Sequence, residues 1–271
     1  MSFNFLIDSH THSISSPDGE ESVLNLCQSA LEKGIRVLTI TDHCELDVYA
    51  EQGFEEAAWC SRRDILDAQW AFKGKLEVLL GSEFGQPCHN PAYTKEAESL
   101  YKRDFILGSV HNLKDKRDFY YLDYTQENPE EIFGLYLDEL LETVEWGGFD
   151  SLAHLTYPLR YITGRAKIAL DLNKFYDKID TILRLLAEKD KALEINTSGL
   201  RQPIGTLLPE EALVRRFRSL GGKLITVGSD AHRSSDIGFG IEAGLECAKN
   251  CGFKSVVYFK NRQAEEVLIN A

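Results

Sequence analysis

Residues 35–43 read I-R-V-L-T-I-T-D-H. The stretch is apolar at most positions rather than at alternate ones, and a polar group with a histidine closes it. Such a run reads as a strand covered on both faces. The same grammar recurs outward in both directions, at 4–8 (N-F-L-I-D), 76–82, 104–110, 149–154, 191–196 and 223–229. An eighth run, K-S-V-V-Y-F at 254–259, reads as a further strand or an edge.

Helical patterns separate the runs. Residues 20–33 are expected to set Val23, Leu24, Cys27, Ala30 and Leu31 on one face before Gly34 stops the helix. Residues 130–146 follow Pro129 and end at Gly147 and Gly148, and 173–188 and 209–219 repeat the theme. Strands alternating with helices imply an α/β fold with parallel pairing through right-handed crossovers. No linker or repeat divides the 271 residues, so one domain over 1–271 is expected, a length that α/β barrels commonly reach. Residues 84–103 and 112–128 break the alternation; they are long and aromatic and are expected to be lids or insertions.

A hydrophobic content of 43% fills a sizeable core and excludes disorder. The net charge of −13 argues against nucleic-acid and membrane partners, which usually need a basic surface. The sequence has no eighteen-residue apolar stretch, and its first residues lack the pattern of a secretory leader. Six cysteines without a C-x-x-C are expected to be reduced, which fits a cytoplasmic protein.

Six of the seven histidines fall at or just past the end of an apolar run: His10, His12, His43, His111, His154 and His232. Glu83 follows the third run, and Asp230 stands two residues before His232. A lone histidine at a strand end is more often a hydrogen-bonded polar residue than a ligand. Six of seven in that place, joined by two acids, point instead to metal binding. In a parallel barrel all strand ends open on one face, where chemistry is placed. In H-x-H and D-x-H both side chains fall on one side of a strand. Imidazole and carboxylate suit zinc, iron or manganese. His89 lies outside the pattern and reads as a loop residue.

These segments resemble the polymerase-and-histidinol-phosphatase (PHP) superfamily: H-x-H near the start, T-D-H, a Glu after the third strand, later histidines and a terminal D-x-H. The longer segments D-S-H-T-H-S, G-S-V-H-N, L-E-I-N-T-S-G-L-R and G-S-D-A-H are most similar to its histidinol-phosphate phosphatase branch. The resemblance implies a distorted (β/α)7 barrel with three divalent metal ions at the C-terminal ends of the strands. One ion would take His10, His12, Glu83 and Asp230. Glu83 would bridge to a second on His111 and His154. A third would take Asp18, His43 and His232. Many family members have a histidine where Asp18 stands in S-S-P-D-G, and a carboxylate can replace it.

The implied activity is phosphomonoester hydrolysis, with L-histidinol phosphate in histidine biosynthesis as substrate and a metal-bridging hydroxide as nucleophile. Three divalent ions against Asp18, Glu83 and Asp230 would leave the site about +3, the local charge an acidic protein needs to hold phosphate. Arg160 and Arg201 match arginines of that branch, and a guanidinium fork fits phosphate oxygens. Asp42 could protonate the leaving alkoxide or orient a neighbouring ligand. Asp115, Asp118 and Tyr120 are candidates for the amino and imidazole groups. The competing readings are a PHP phosphodiesterase or phosphatase acting on small nucleotides, and a metal-binding module without hydrolytic activity.

Overall fold

A computed structural model of the chain describes Phe3 and residues 5–269. Residue 4, the start of the first apolar run, lies outside the described residues. Seven parallel strands follow the chain around a nearly closed barrel: β1 (Leu6–Thr11), β2 (Ile35–Ile40), β4 (Glu77–Gly85), β5 (Phe105–Ser109), β6 (Ser151–Leu152), β7 (Ala192–Asn196) and β8 (Ile225–Gly228). A short β3 (His43–Glu45) pairs with the outer half of β4. The ends of β8 and β1 meet through a parallel bridge, Thr11 to Ala231, with Asp230 N–H donating to the His10 carbonyl at 2.7 Å. The fold is a distorted (β/α)7 barrel, as the alternation and the resemblance imply.

Helices α1 (Val23–Glu32), α2 (Phe54–Ala71), α3 (Pro91–Ser99), α4 (Pro129–Trp146), α5 (Tyr176–Glu188), α6 (Glu211–Ser219) and α7 (Ile241–Asn250) connect the strands. The α1 face differs by one step from the expected one. Leu26 is buried with Val23, Cys27 and Ala30, whereas Leu24 is 47% exposed. Ser22 caps the helix by accepting from Asn25 N–H, and that sets the rotation. Residues 84–103 are no lid: they finish β4 and then form α3, whose N-terminus is fixed by Asn90 and Pro91. Residues 112–128 hold only one 3₁₀ turn, Phe119–Tyr121, and do border the cleft.

The eighth run leaves the barrel. It forms β9 (Ser255–Lys260), which pairs antiparallel with β10 (Gln263–Leu268). Val257 and Phe259 pack in one cluster with Phe105 and Ala192, the first residues of β5 and β7, and with Leu107 and Ala153. Arg262 pins the turn there by donating to Asp150 at 2.5 Å and to the Gly148 carbonyl at 2.7 Å. The hairpin is thus a floor to the barrel.

Candidate metal centre

The seven strands bring six imidazoles and three carboxylates into one cluster at their C-terminal ends. Glu83, fully buried in β4, is the hub. One oxygen lies 3.0 Å from His154 Nε2 and 3.2 Å from His111 Nε2. The other lies 3.2 Å from His10 Nε2 and 3.1 Å from His43 Nδ1. Asp230 is 3.5 Å from His12 Nε2 and 3.7 Å from His232 Nδ1. Asp18, half out in solvent, stands 3.1 Å from His232 Nε2 and 3.6 Å from His43 Nε2. The turn Pro-Asp-Gly therefore carries its carboxylate to the cluster.

Three sets of nitrogens and oxygens each lie within 4.8 Å of one another: His12, His43, His232; His10, His12, Glu83; and His43, Glu83, His111. Of these nitrogens, His12 Nε2, His43 Nδ1 and His232 Nε2 are buried and make no well-aligned hydrogen bond, although carboxylate oxygens stand 3.1–3.5 Å away. Buried nitrogens are costly when unpaired, and imidazole lone pairs converging on one point fit a cation. The donor set matches zinc and similar divalent ions.

The electrostatics agree. Burial opposes charge on His10, yet Glu194, Glu83 and Asp230 outweigh it and hold its pKa well above the usual value. Burial, with His43 and His232 beside it, pushes His12 far down. Burial works against ionised Glu83 too, but His10, His111 and His43 keep its carboxyl well below the usual range. Two members have strained backbones: His154 at φ 22° and Asp230 at φ 55°. Side chains other than glycine rarely occupy that region, and such strain gathers at functional sites.

Sequence reading missed the supporting layer. Glu194 on β7 accepts from His10 Nδ1–H at 2.7 Å and from the His154 amide at 2.8 Å. Glu45 lies 2.9 Å from His111 Nδ1 and is held by Gln86 Nε2 at 2.7 Å. Gly228 must lack a side chain, because a Cβ there would stand 2.3 Å from His10 Cβ and 2.6 Å from Glu194 Oε1.

A cleft of about 1240 Å³ opens over the cluster. Arg160 begins a π-helical turn, Arg160–Arg165, and borders the cleft. Its Nη2 donates to Asp230 at 2.5 Å and Ser198 at 2.6 Å, while its Nε is unpartnered. Arg201 also borders the cleft, but its Nη1 and Nη2 donate to the Ser229 and Asp230 carbonyls, and Asp236 stands 3.2 Å from its Nε. It clamps the segment that presents Asp230. Asp118 and Tyr120 line the wall; burial raises the Asp118 pKa.

Two expected residues are elsewhere. Asp115 is exposed, in a left-handed turn at φ 60°, and does not line the cleft. Asp42 accepts from Ser13 N–H and from the hydroxyls of Ser13, Ser16 and Ser61 at 2.6–2.7 Å. It is buried and outside the cleft lining, so of its two readings the geometry favours orientation: it ties the loop before His43 to the loop after His12. His89 pairs with Glu139 at 2.7 Å, apart from the cluster.

A family model for the PHP domain matches residues 8–198. The chain is 30% identical over 251 residues to the probable histidinol-phosphatase of Thermotoga maritima, covering 92% of this chain and 94% of that protein. It is 28% identical over 262 residues to the histidinol-phosphatase of Lactococcus lactis subsp. lactis, covering 96% of each. Its structure is similar to the crystal structure of histidinol phosphate phosphatase from Lactococcus lactis subsp. lactis Il1403 complexed with zinc, L-histidinol and phosphate. The TM-score is 0.77 at 26% identity, over 96% of this chain and 98% of that one. With the family model spanning well over half of the sequence and this barrel beneath it, the chain belongs to the PHP domain family.

Proposed function

We propose that this protein is a metal-dependent phosphomonoesterase that hydrolyses L-histidinol phosphate to L-histidinol and phosphate. The observation that carries the reading is Glu83, whose two carboxylate oxygens face histidines from four different strand ends. The near full-length similarity to histidinol-phosphatases supports the choice of substrate. The whole sequence, 1–271, forms one barrel domain in this reading.

His10, His12, Glu83 and Asp230 would hold one ion, Glu83 with His111 and His154 a second, and Asp18, His43 and His232 a third. Bound divalent ions of this kind supply positive charge for the phosphoryl oxygens and acidify water towards neutral pH. The protein's own residues do the rest. Glu194 fixes the His10 ring, so that Nε2 faces the cluster. Arg160, whose side chain borders the cleft beside Asp230, binds a phosphoryl oxygen. Arg201 sets the position of Asp230 through two backbone carbonyls and lends charge to the same wall. Asp118 and Tyr120 offer a carboxylate and an aromatic face to the amino and imidazole groups.

The test is phosphate release from histidinol phosphate after loading with zinc, manganese or iron, beside a 3′,5′-nucleoside bisphosphate as competitor substrate. Preference for the bisphosphate, or full activity after thorough chelation, would overturn the reading.

A further inference from the structure

One wall of the metal cleft is built from two segments. The loop 112–128 brings Asp118 and Tyr120 to it, and the π-helical turn Arg160–Arg165 brings Arg160 and Tyr161. Arg165, at the end of that turn, is exposed and is not among the residues lining the cleft. It nevertheless joins the two segments. Its Nη2 donates to the Tyr120 carbonyl at 2.5 Å. Its guanidinium lies 5.0 Å from the centre of the Tyr120 ring and 5.1 Å from that of Tyr161. Among the described residues no carboxylate pairs with Arg165, so its charge faces two aromatic rings and a carbonyl instead.

The contact reaches Asp118 through a single residue. Tyr120 N–H donates to Asp118 Oδ1 at 2.6 Å, so the residue that Arg165 holds by its carbonyl holds the Asp118 carboxylate by its amide. The base under Arg165 is firm. Ala166 N–H donates to the Tyr161 carbonyl at 2.8 Å, and a Cβ on Gly164 would stand 3.0 Å from the Ile204 backbone nitrogen. The loop is firm as far as Phe119, which is fully buried with its ring 5.5 Å from that of Tyr136. Beyond it Tyr120 and Tyr121 are 54% and 68% exposed, so little apolar burial fixes them. An exposed cation–π contact is weak alone, but here two rings and a charge-assisted hydrogen bond act on one guanidinium.

We propose that Arg165 is a positioning residue for substrate selection. It clasps the 112–128 loop to the π turn and so sets Asp118 and Tyr120 where the amine and imidazole bind. The inference rests on the phosphatase reading for the identity of the substrate. It adds a division of labour within one six-residue turn: Arg160 at its start serves the phosphoryl group, and Arg165 at its end serves the organic half.

Arg165→Ala tests this in two independent ways. The first needs no substrate. Trypsin should cut the intact variant after Lys116 or Arg117, both exposed in the loop, ~5-fold or more faster than wild type, as read by mass spectrometry. Cutting elsewhere should keep its wild-type rate. The second is kinetic. Fewer molecules with the wall in place should raise KM for histidinol phosphate ~3-fold or more, with the loss in KM rather than kcat. Inhibition by inorganic phosphate, which needs only the metal end, should keep its Ki. Unchanged cleavage after Lys116 and Arg117, faster cleavage across the whole chain, an unchanged KM, or a phosphate Ki that rises with KM would each overturn the proposal. Wild-type protein that releases no phosphate from histidinol phosphate would instead sink the phosphatase reading, and trypsin would still decide whether Arg165 holds the wall.

Discussion

Glu194 Oε1 lies 2.7 Å from His10 Nδ1, with both side chains wholly enclosed by the barrel. The contact makes Nδ1 the donor and turns Nε2 towards Glu83 and Asp230, where it would be free to ligate an ion. Glu194→Gln should keep the fold but loosen the ring, and metal affinity should fall ~10–100-fold. Metal content after dialysis against a buffered chelator measures it. Unchanged content would remove the orienting role.

Glu83→Gln should be more damaging still. It removes the charge that faces four imidazoles at once, so the loss should exceed the ~10–100-fold expected of an outer partner. Bound metal and phosphate release should fall together. A variant that keeps both near wild type would dismantle the proposed centre.

Arg160→Ala should raise KM for histidinol phosphate by ~10-fold or more, since charge-assisted bonds to phosphate contribute about 1.5–3 kcal/mol. Metal content should hold. An unaltered KM would take Arg160 out of the phosphate site and leave it as a partner of Asp230.

Asp118→Asn separates substrate selection from chemistry. Binding of the ammonium group predicts a higher KM with kcat largely retained, and little change toward a monoester lacking an amine. A drop in kcat alone, with KM unchanged, would contradict that role.

Glu21 gives a pH dependence away from the metal cluster. Its carboxylate accepts from Ser234 N–H at 3.0 Å and Ser234 Oγ at 2.7 Å, bonds that lower its pKa. A lowered pKa contributes stability above the unfolded value, near 4.3, that is lost as pH falls through the folded value. Glu21→Ala should cost about 1 kcal/mol at neutral pH, after screening at this partly exposed site. The difference in unfolding free energy should shrink below about pH 4. A constant difference across that range would contradict the linkage.

Much of this was readable because the strands end in chemistry. His10, His43, Glu83 and Asp230 announce themselves as polar residues closing apolar runs, and the parallel topology carries them to one face. Glu194 hid inside K-A-L-E-I-N, where it looks like one exposed position of a strand. An acid in a doubly covered run was the missed signal, since a buried carboxylate needs a donor. Glu45 lies two residues after His43 and so shares its side of β3, a period-two cue left unused. Asp42 misled because it neighbours a ligand. Its three serine partners, Ser13, Ser16 and Ser61, come from two other segments that no local pattern joins. β10 was unreadable: nearly all its side chains are solvated, and its pairing comes from backbone bonds with β9.

The floor made by Val257 and Phe259 has a kinetic corollary. Among the described residues the hairpin closes the lower end of the barrel, so arrivals and departures share the cleft above the histidines. The alcohol and the freed phosphate then have to leave by the route the next molecule takes in. Each product should compete with fresh substrate for that doorway, and turnover at high product concentration should slow accordingly.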